Sequence, residues 1–167
     1  KMQRTESVER SSIPEDESVV SLPWNPKGES GSVIDPEALA SIDAVVHLAG
    51  ENVATGNGPL GFLGIQAWSQ EKKDEIMNSR VGPTKALSDA IKSSGSSTTL
   101  LTASGVGIYG ADFFEGKDAV DESAPTISAE GFLAEVSRQW EGAASSAPGR
   151  VVNCRMGVVL SKKGGAL

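Results

Sequence analysis

DAVVHLAG, Asp43 to Gly50, is a continuous apolar run closed by glycine, the pattern of a parallel strand buried on both faces. TTLLTASGVGIYG repeats the pattern and predicts a strand from Thr98 to about Ser104, followed by a loop. A third run, RVVNCRMGVVL, follows the turn at Gly149. The segments between these runs have a different period. From about Ser69 to Ser94 the spacing predicts a helix with Ile76, Leu87 and Ile91 among its apolar positions, bent or divided at Pro83. In EGFLAEVSRQWEGAASS, Phe132, Val136 and Trp140 fall on one helical face.

Upstream, DPEALAS reads as a short helix with Asp35 as N-cap and Pro36 at its first position. SVVSL, 18–22, is a further short strand, closed by the turn-rich LPWNPKGESG. Residues 1–17 are polar and without period, which predicts a mobile lead-in, with one domain over 18–167. Strand and helix alternate through that domain. Such alternation predicts a doubly wound parallel sheet with helices on both faces. In such sheets ligands meet the carboxyl ends of the strands, so the informative residues are Gly50 to Ala54, Thr102 to Tyr109 and Arg155 to Val159.

The chain has 167 residues, a formal net charge of −7 and 38% hydrophobic residues. That acidity argues against a nucleic-acid partner, since binding a phosphate backbone needs clustered Lys and Arg. The single cysteine, Cys154, forms neither an intrachain disulfide nor a multi-cysteine metal site, and in its apolar run it reads as a buried, inert thiol. No metal site is expected. No apolar run reaches membrane-spanning length, so the expectation is a soluble chain in a reducing compartment, cytoplasm or an organelle matrix or stroma. GPLGFLG, 58–64, has glycines at the spacing of a dinucleotide fingerprint. It follows the first strand only by way of ENVATGN, and no acidic residue ends a second strand at the required interval. It therefore reads as an insertion bordering the cleft.

DAVVHLAGENVA, SRVGPT, TASGVGIYG, FLAEVSRQWEGAA and RVVNCRMGVVLSKKGGAL, in that order over 43–167, resemble the extended short-chain dehydrogenase/reductase superfamily. More narrowly, they resemble its atypical branch of NAD-dependent epimerase/dehydratase-like proteins. The resemblance implies an α/β Rossmann-type doubly wound parallel sheet that binds NADP or NAD. It also implies that the sheet is incomplete in this chain. Members of the family begin with a strand, a glycine-rich loop and a helix, and continue into a small substrate domain; neither is read in these residues. Since the first strand lies mid-sheet in the family, an additional segment or a partner protein is expected to complete the sheet.

The resemblance implies site residues one at a time. Leu48, Ala49, Gly50, Arg80, Thr102, Ala103 and Arg155 fall at cofactor-binding positions. Ser104 matches the serine that orients a substrate oxygen, and Arg80 stands where asparagine is usual. The Tyr-x-x-x-Lys motif is not retained: Ala134 falls at the tyrosine position and Arg138 at the lysine. Tyr109, the only tyrosine, is either a replacement proton-transfer group or a packed loop residue. Arg155 faces either the cofactor or a structural carboxylate. His47 lies within a strand and reads as a hydrogen-bonded core residue, Trp68 and Trp140 as packing residues, and Asp121-Glu122 as a substrate contact, a solvated loop or a helix entry. The implied function is hydride transfer at a hydroxyl- or carbonyl-bearing carbon of a small substrate; the alternative is a catalytically silent subunit of a larger complex.

Overall fold

The computed structural model describes residues 22–26, 34–53, 68–110, 120–126 and 129–159. The lead-in over 1–17, most of the SVVSL strand, the glycine-rich segment 58–64 and the terminal SKKGGAL lie outside the described residues. In chain order the elements are α1 (Pro36–Ala40), β1 (Ala44–His47), α2 (Gln70–Ser93), β2 (Thr99–Gly105), a 3-10 turn (Val106–Tyr109), α3 (Phe132–Ala144) and β3 (Val151–Met156). The strands form a parallel sheet in the order β1-β2-β3. His47 pairs with Thr102 and Thr102 with Asn153, while Ser104 pairs with Arg155.

Local chemistry sets the helix starts. The Asp35 carboxylate accepts from the Glu37 amide at 3.0 Å, with Pro36 in the first turn where its missing N–H costs nothing. Ser69 caps α2 by accepting from the Lys72 amide. Of the two expectations for Pro83, a bend or a division, the division does not occur: Pro83 sits inside one continuous α2. Buried anchors on both sides of it, Ile76 before and Thr84, Leu87 and Ile91 after, hold the helix against its neighbours. Tertiary packing of this kind outweighs local propensity.

The crossovers through α2 and α3 run in the same direction along the sheet, so right-handed connections place both helices on one face. There Leu39, Leu87, Ala90, Ile91, Leu100, Ala144 and Ala147 form the core, with Val45 and Val151 against it. Polar ties cross it. Ser88 Oγ donates to the Ala144 carbonyl at 3.0 Å, joining α2 to α3, and Thr98 Oγ1 donates to the Leu39 and Ile42 carbonyls. Gly149 lets the turn before β3 approach the backbone ahead of β2; a Cβ there would meet the Ser97 carbonyl oxygen and lie 2.6 Å from that of Thr98.

The opposite face differs from expectation. β1 is not buried on both faces: Val46 is 61% exposed, whereas His47 is buried. Among the described residues no helix packs on the Val46 side, and nothing pairs with the outer edge of β1. Cys154, on the same side of β3, is half-buried and free rather than enclosed, for the same reason.

Candidate functional site

All three strands are parallel, so their carboxyl ends share one edge of the sheet, and two separate clamps form there. The first holds the exit of β1. Leu48, Ala49 and Gly50 are exposed, and Glu51 behind them is fastened to α2 at three points. Its amide donates to Ser79 Oγ (2.9 Å), its carbonyl accepts from Arg80 Nη2 (2.9 Å) and its carboxylate accepts from Lys72 Nζ (3.0 Å). Arg80 also donates to the Ile76 carbonyl and lies over the Trp140 indole, 5.1 Å from its centroid. Burial lowers the Arg80 pKa from its usual value, while the Glu51 bond raises that of Lys72. Gly50 admits this arrangement, since a Cβ would come within 3.1 Å of Arg80 Cζ. The Trp68 indole N–H donates to the Val53 carbonyl, tying the end of the β1 exit to the residue just ahead of the α2 N-cap.

The second clamp gathers three residues singled out in the sequence. Ser104 Oγ donates to Glu141 Oε1 at 2.7 Å. Arg155 reaches the same carboxylate twice, Nε to Oε1 at 2.9 Å and Nη2 to Oε2 at 3.0 Å. Its Nη1 donates to the Tyr109 hydroxyl at 2.9 Å and to the Glu122 carbonyl at 3.3 Å, and the guanidinium lies 5.2 Å from the Tyr109 ring centroid. Tyr109 in turn donates to the Asp121 carbonyl at 3.4 Å. The Glu141 bonds are the largest cause of the Arg155 pKa being raised from its already high value. Ser104, Tyr109 and Arg155 therefore come together, around Glu141. The Ser104 proton is directed at that carboxylate, which leaves its lone pairs to face other groups.

The remaining expected site residues are distributed differently. Thr102 and Ala103 are buried within β2. Arg80 is engaged beneath the β1 exit. Ala134 is buried, and Arg138 donates to the Thr126 and Ala129 carbonyls and to Glu135, bracing the segment before α3. Asp121 binds the Ser123 amide and hydroxyl within an exposed turn. Trp140 packs in the core and donates to Thr84 Oγ1. His47 is buried against Trp24 (ring centroids 5.7 Å), but among the described residues its Nε2 finds no partner, nor does Asn153 Oδ1 in the same cross-strand row. Among the described residues no three His, Cys, Asp or Glu side chains could hold a metal ion, and no helix is long and apolar enough to cross a membrane.

The sequence pattern singles out neither Glu141 nor Ser79. For Glu141 a signal existed: an arginine embedded in the apolar run VVNCRM needs a carboxylate, and the nearest helix supplies one in WEG. A dinucleotide at this edge would meet the exposed backbone of Leu48, Ala49 and Gly50, while the side of Gly50 where a Cβ would stand is taken by Arg80. Arg80 holds the Glu51 carbonyl just beyond that backbone, and Thr102 pairs with His47 at the end of β1.

No family model matches the chain. An epimerase family protein of Mycobacterium bovis is 42% identical over 152 residues, covering 87% of this chain and 43% of that protein. The chloroplastic epimerase family protein of Arabidopsis thaliana is 40% identical over 129 residues, covering 74% of this chain and 33% of that one. The chain belongs to this epimerase family, an atypical branch of the extended short-chain dehydrogenase/reductases. It spans less than half the length of these relatives. Among solved structures, a nucleoside-diphosphate sugar epimerase from Corynebacterium glutamicum matches with a TM-score of 0.61 at 37% identity, over 86% of this chain and 27% of that one. RMD from Pseudomonas aeruginosa, complexed with NADPH, matches at 20% identity with a TM-score of 0.52, over 84% of this chain and 45% of that one; this likeness concerns the fold. The fold is Rossmann-type.

Proposed function

We propose that these residues form the NAD(P)-binding part of an epimerase-family oxidoreductase or epimerase acting on a small substrate. The observation that carries this reading is the convergence of Ser104, Tyr109 and Arg155 at the carboxyl edge, beside the open Leu48–Gly50 lip. The NADPH bound by the RMD fold relative and the sugar-nucleotide name of the Corynebacterium one point the same way. A bound NADP or NAD supplies a hydride acceptor or donor. Leu48, Ala49 and Gly50 would hold it, supported by Arg80, Thr102 and Ala103. Tyr109, its oxygen already accepting from a guanidinium, is the proton-transfer candidate at the hydroxyl- or carbonyl-bearing carbon. Ser104 contributes lone pairs to orient the substrate oxygen, its proton being held by Glu141. The outer edge of β1 takes a further strand from an additional segment of the protein or from a partner.

A second reading has its own support. Buried Ala134 at the usual tyrosine position, and a Ser104 proton engaged by Glu141, favour a cofactor-binding subunit without turnover. Thermal unfolding with excess NADPH or NADH tests the shared claim. A ligand bound only by the native state at about 100 times its Kd stabilises by about 2.7 kcal/mol. No shift with either nucleotide overturns cofactor binding. A shift together with no transfer of deuterium from labelled NADPH to a panel of aldehydes, ketones and sugar nucleotides selects the silent subunit.

A further inference from the structure

Glu141 lies on the inward side of α3, its side chain only 12% exposed, and both its oxygens are occupied by donors from two different strands. A carboxylate so placed is costly to bury unless it is paired and fully hydrogen-bonded, and here it is both. Its bidentate grip on Arg155 leaves Nη1 pointing away from Glu141, and that nitrogen meets Tyr109. We propose that Glu141 is a positioning residue: one buried anion sets the direction of the Ser104 hydroxyl and, through Arg155, the place of the Tyr109 phenol. This deepens the proposed function, on which its catalytic meaning rests, but the positioning itself is a property of the chain without cofactor.

A guanidinium is planar, so fixing Nε and Nη2 on a carboxylate fixes the direction of Nη1. An amide in place of the carboxylate cannot accept on both atoms, because one of them becomes a donor. With Glu141→Gln, Arg155 loses one of its two bonds whichever way the amide turns: the Nη2 bond if the amide oxygen takes the Oε1 place, or the Nε bond together with the Ser104 acceptor if it takes the Oε2 place. The pair also loses its opposite charge. Arg155 then loses the anchor that directs Nη1 at the phenol, and the guanidinium–hydroxyl bond to Tyr109 is loosened.

The single tyrosine of the chain makes the test direct. With tyrosine labelled at ring 13Cζ, one resonance reports the hydrogen bonding of Tyr109. Glu141→Gln is expected to displace it by several linewidths in the direction produced by Arg155→Met. Glu141→Asp, which keeps the charge on a shorter stem, is expected to displace it less. Ser104→Ala leaves the carboxylate–guanidinium pair in place and is expected to leave the resonance near its native position. Thr84→Val, which removes the acceptor of the Trp140 N–H, lowers stability without moving it, and so separates positioning from general loosening. A resonance unmoved by Glu141→Gln but moved by Arg155→Met overturns the proposal. If the glutamine variant does not fold, Glu141→Asp carries the same comparison, and an unmoved resonance there overturns it equally. Nucleotide-induced stabilisation of the native protein is measured separately, so failure of cofactor binding and failure of positioning are told apart.

Discussion

The two faces of one three-stranded sheet behave as if they came from different proteins. On one, Leu100 and its cross-strand partners Val45 and Val151 meet a core of α1, α2 and α3 side chains, with serine and threonine hydroxyls joining the layers. On the other, the strand residues are the more apolar set, yet Val46 stands 61% exposed and Met156 48%. Apolar strand residues meet a closed face where a crossover helix returns and an open one where, among the described residues, none does. Burial belongs to the connection as much as to the strand.

The contrast breaks most readily at the covered face. Gly149→Ala, which drives a methyl into the Ser97 and Thr98 carbonyls, is expected to cost about 3 kcal/mol or more, read by chemical denaturation. Ile91→Ala, emptying a fully buried position, should cost about 2–5 kcal/mol by the same measurement. Thr84→Val leaves the Trp140 N–H without its acceptor in the core and should cost about 1–3 kcal/mol.

His47 gives a smaller, pH-dependent term. Burial holds its pKa below the ordinary value, so the unfolded chain takes up the proton first. Stability is therefore full above about pH 6.5 and falls as pH drops through that value towards the lower folded-state pKa. Melting temperatures across this window should decline in the native protein and flatten in His47→Leu; equal slopes in both would assign the decline to other groups. The smallest effect belongs to the open face. Val46→Lys should change stability by less than about 0.5 kcal/mol. It should also reduce concentration-dependent light scattering, because lysine on an edge strand discourages pairing with other chains.

The three strands were legible because an apolar run ended by glycine, set between two amphipathic stretches, fits little besides a buried parallel strand. What escaped was decided by partners remote in sequence. Pro83 reads as a bend or a break, and the division is excluded only when Ile76 and Leu87 are seen anchored on either side of it. DAVVHLAG reads as doubly buried because composition does not record which face a crossover covers. Ser104, Tyr109 and Arg155 were legible as residues, but their union was not, since Glu141 looks like one more charge on an amphipathic helix. Its inward direction follows from its place beside Trp140, which only the packing of α3 fixes.

That adjacency has a mechanical consequence. Trp140 supports Arg80, which holds the exit of β1, while the next residue, Glu141, holds Ser104 and Arg155 at the exits of β2 and β3. A single step along α3 thus acts as the axle of two latches. A small rotation of that helix would shift the Trp140–Arg80 and Glu141 contacts together, so the exits of all three strands share one mechanical support.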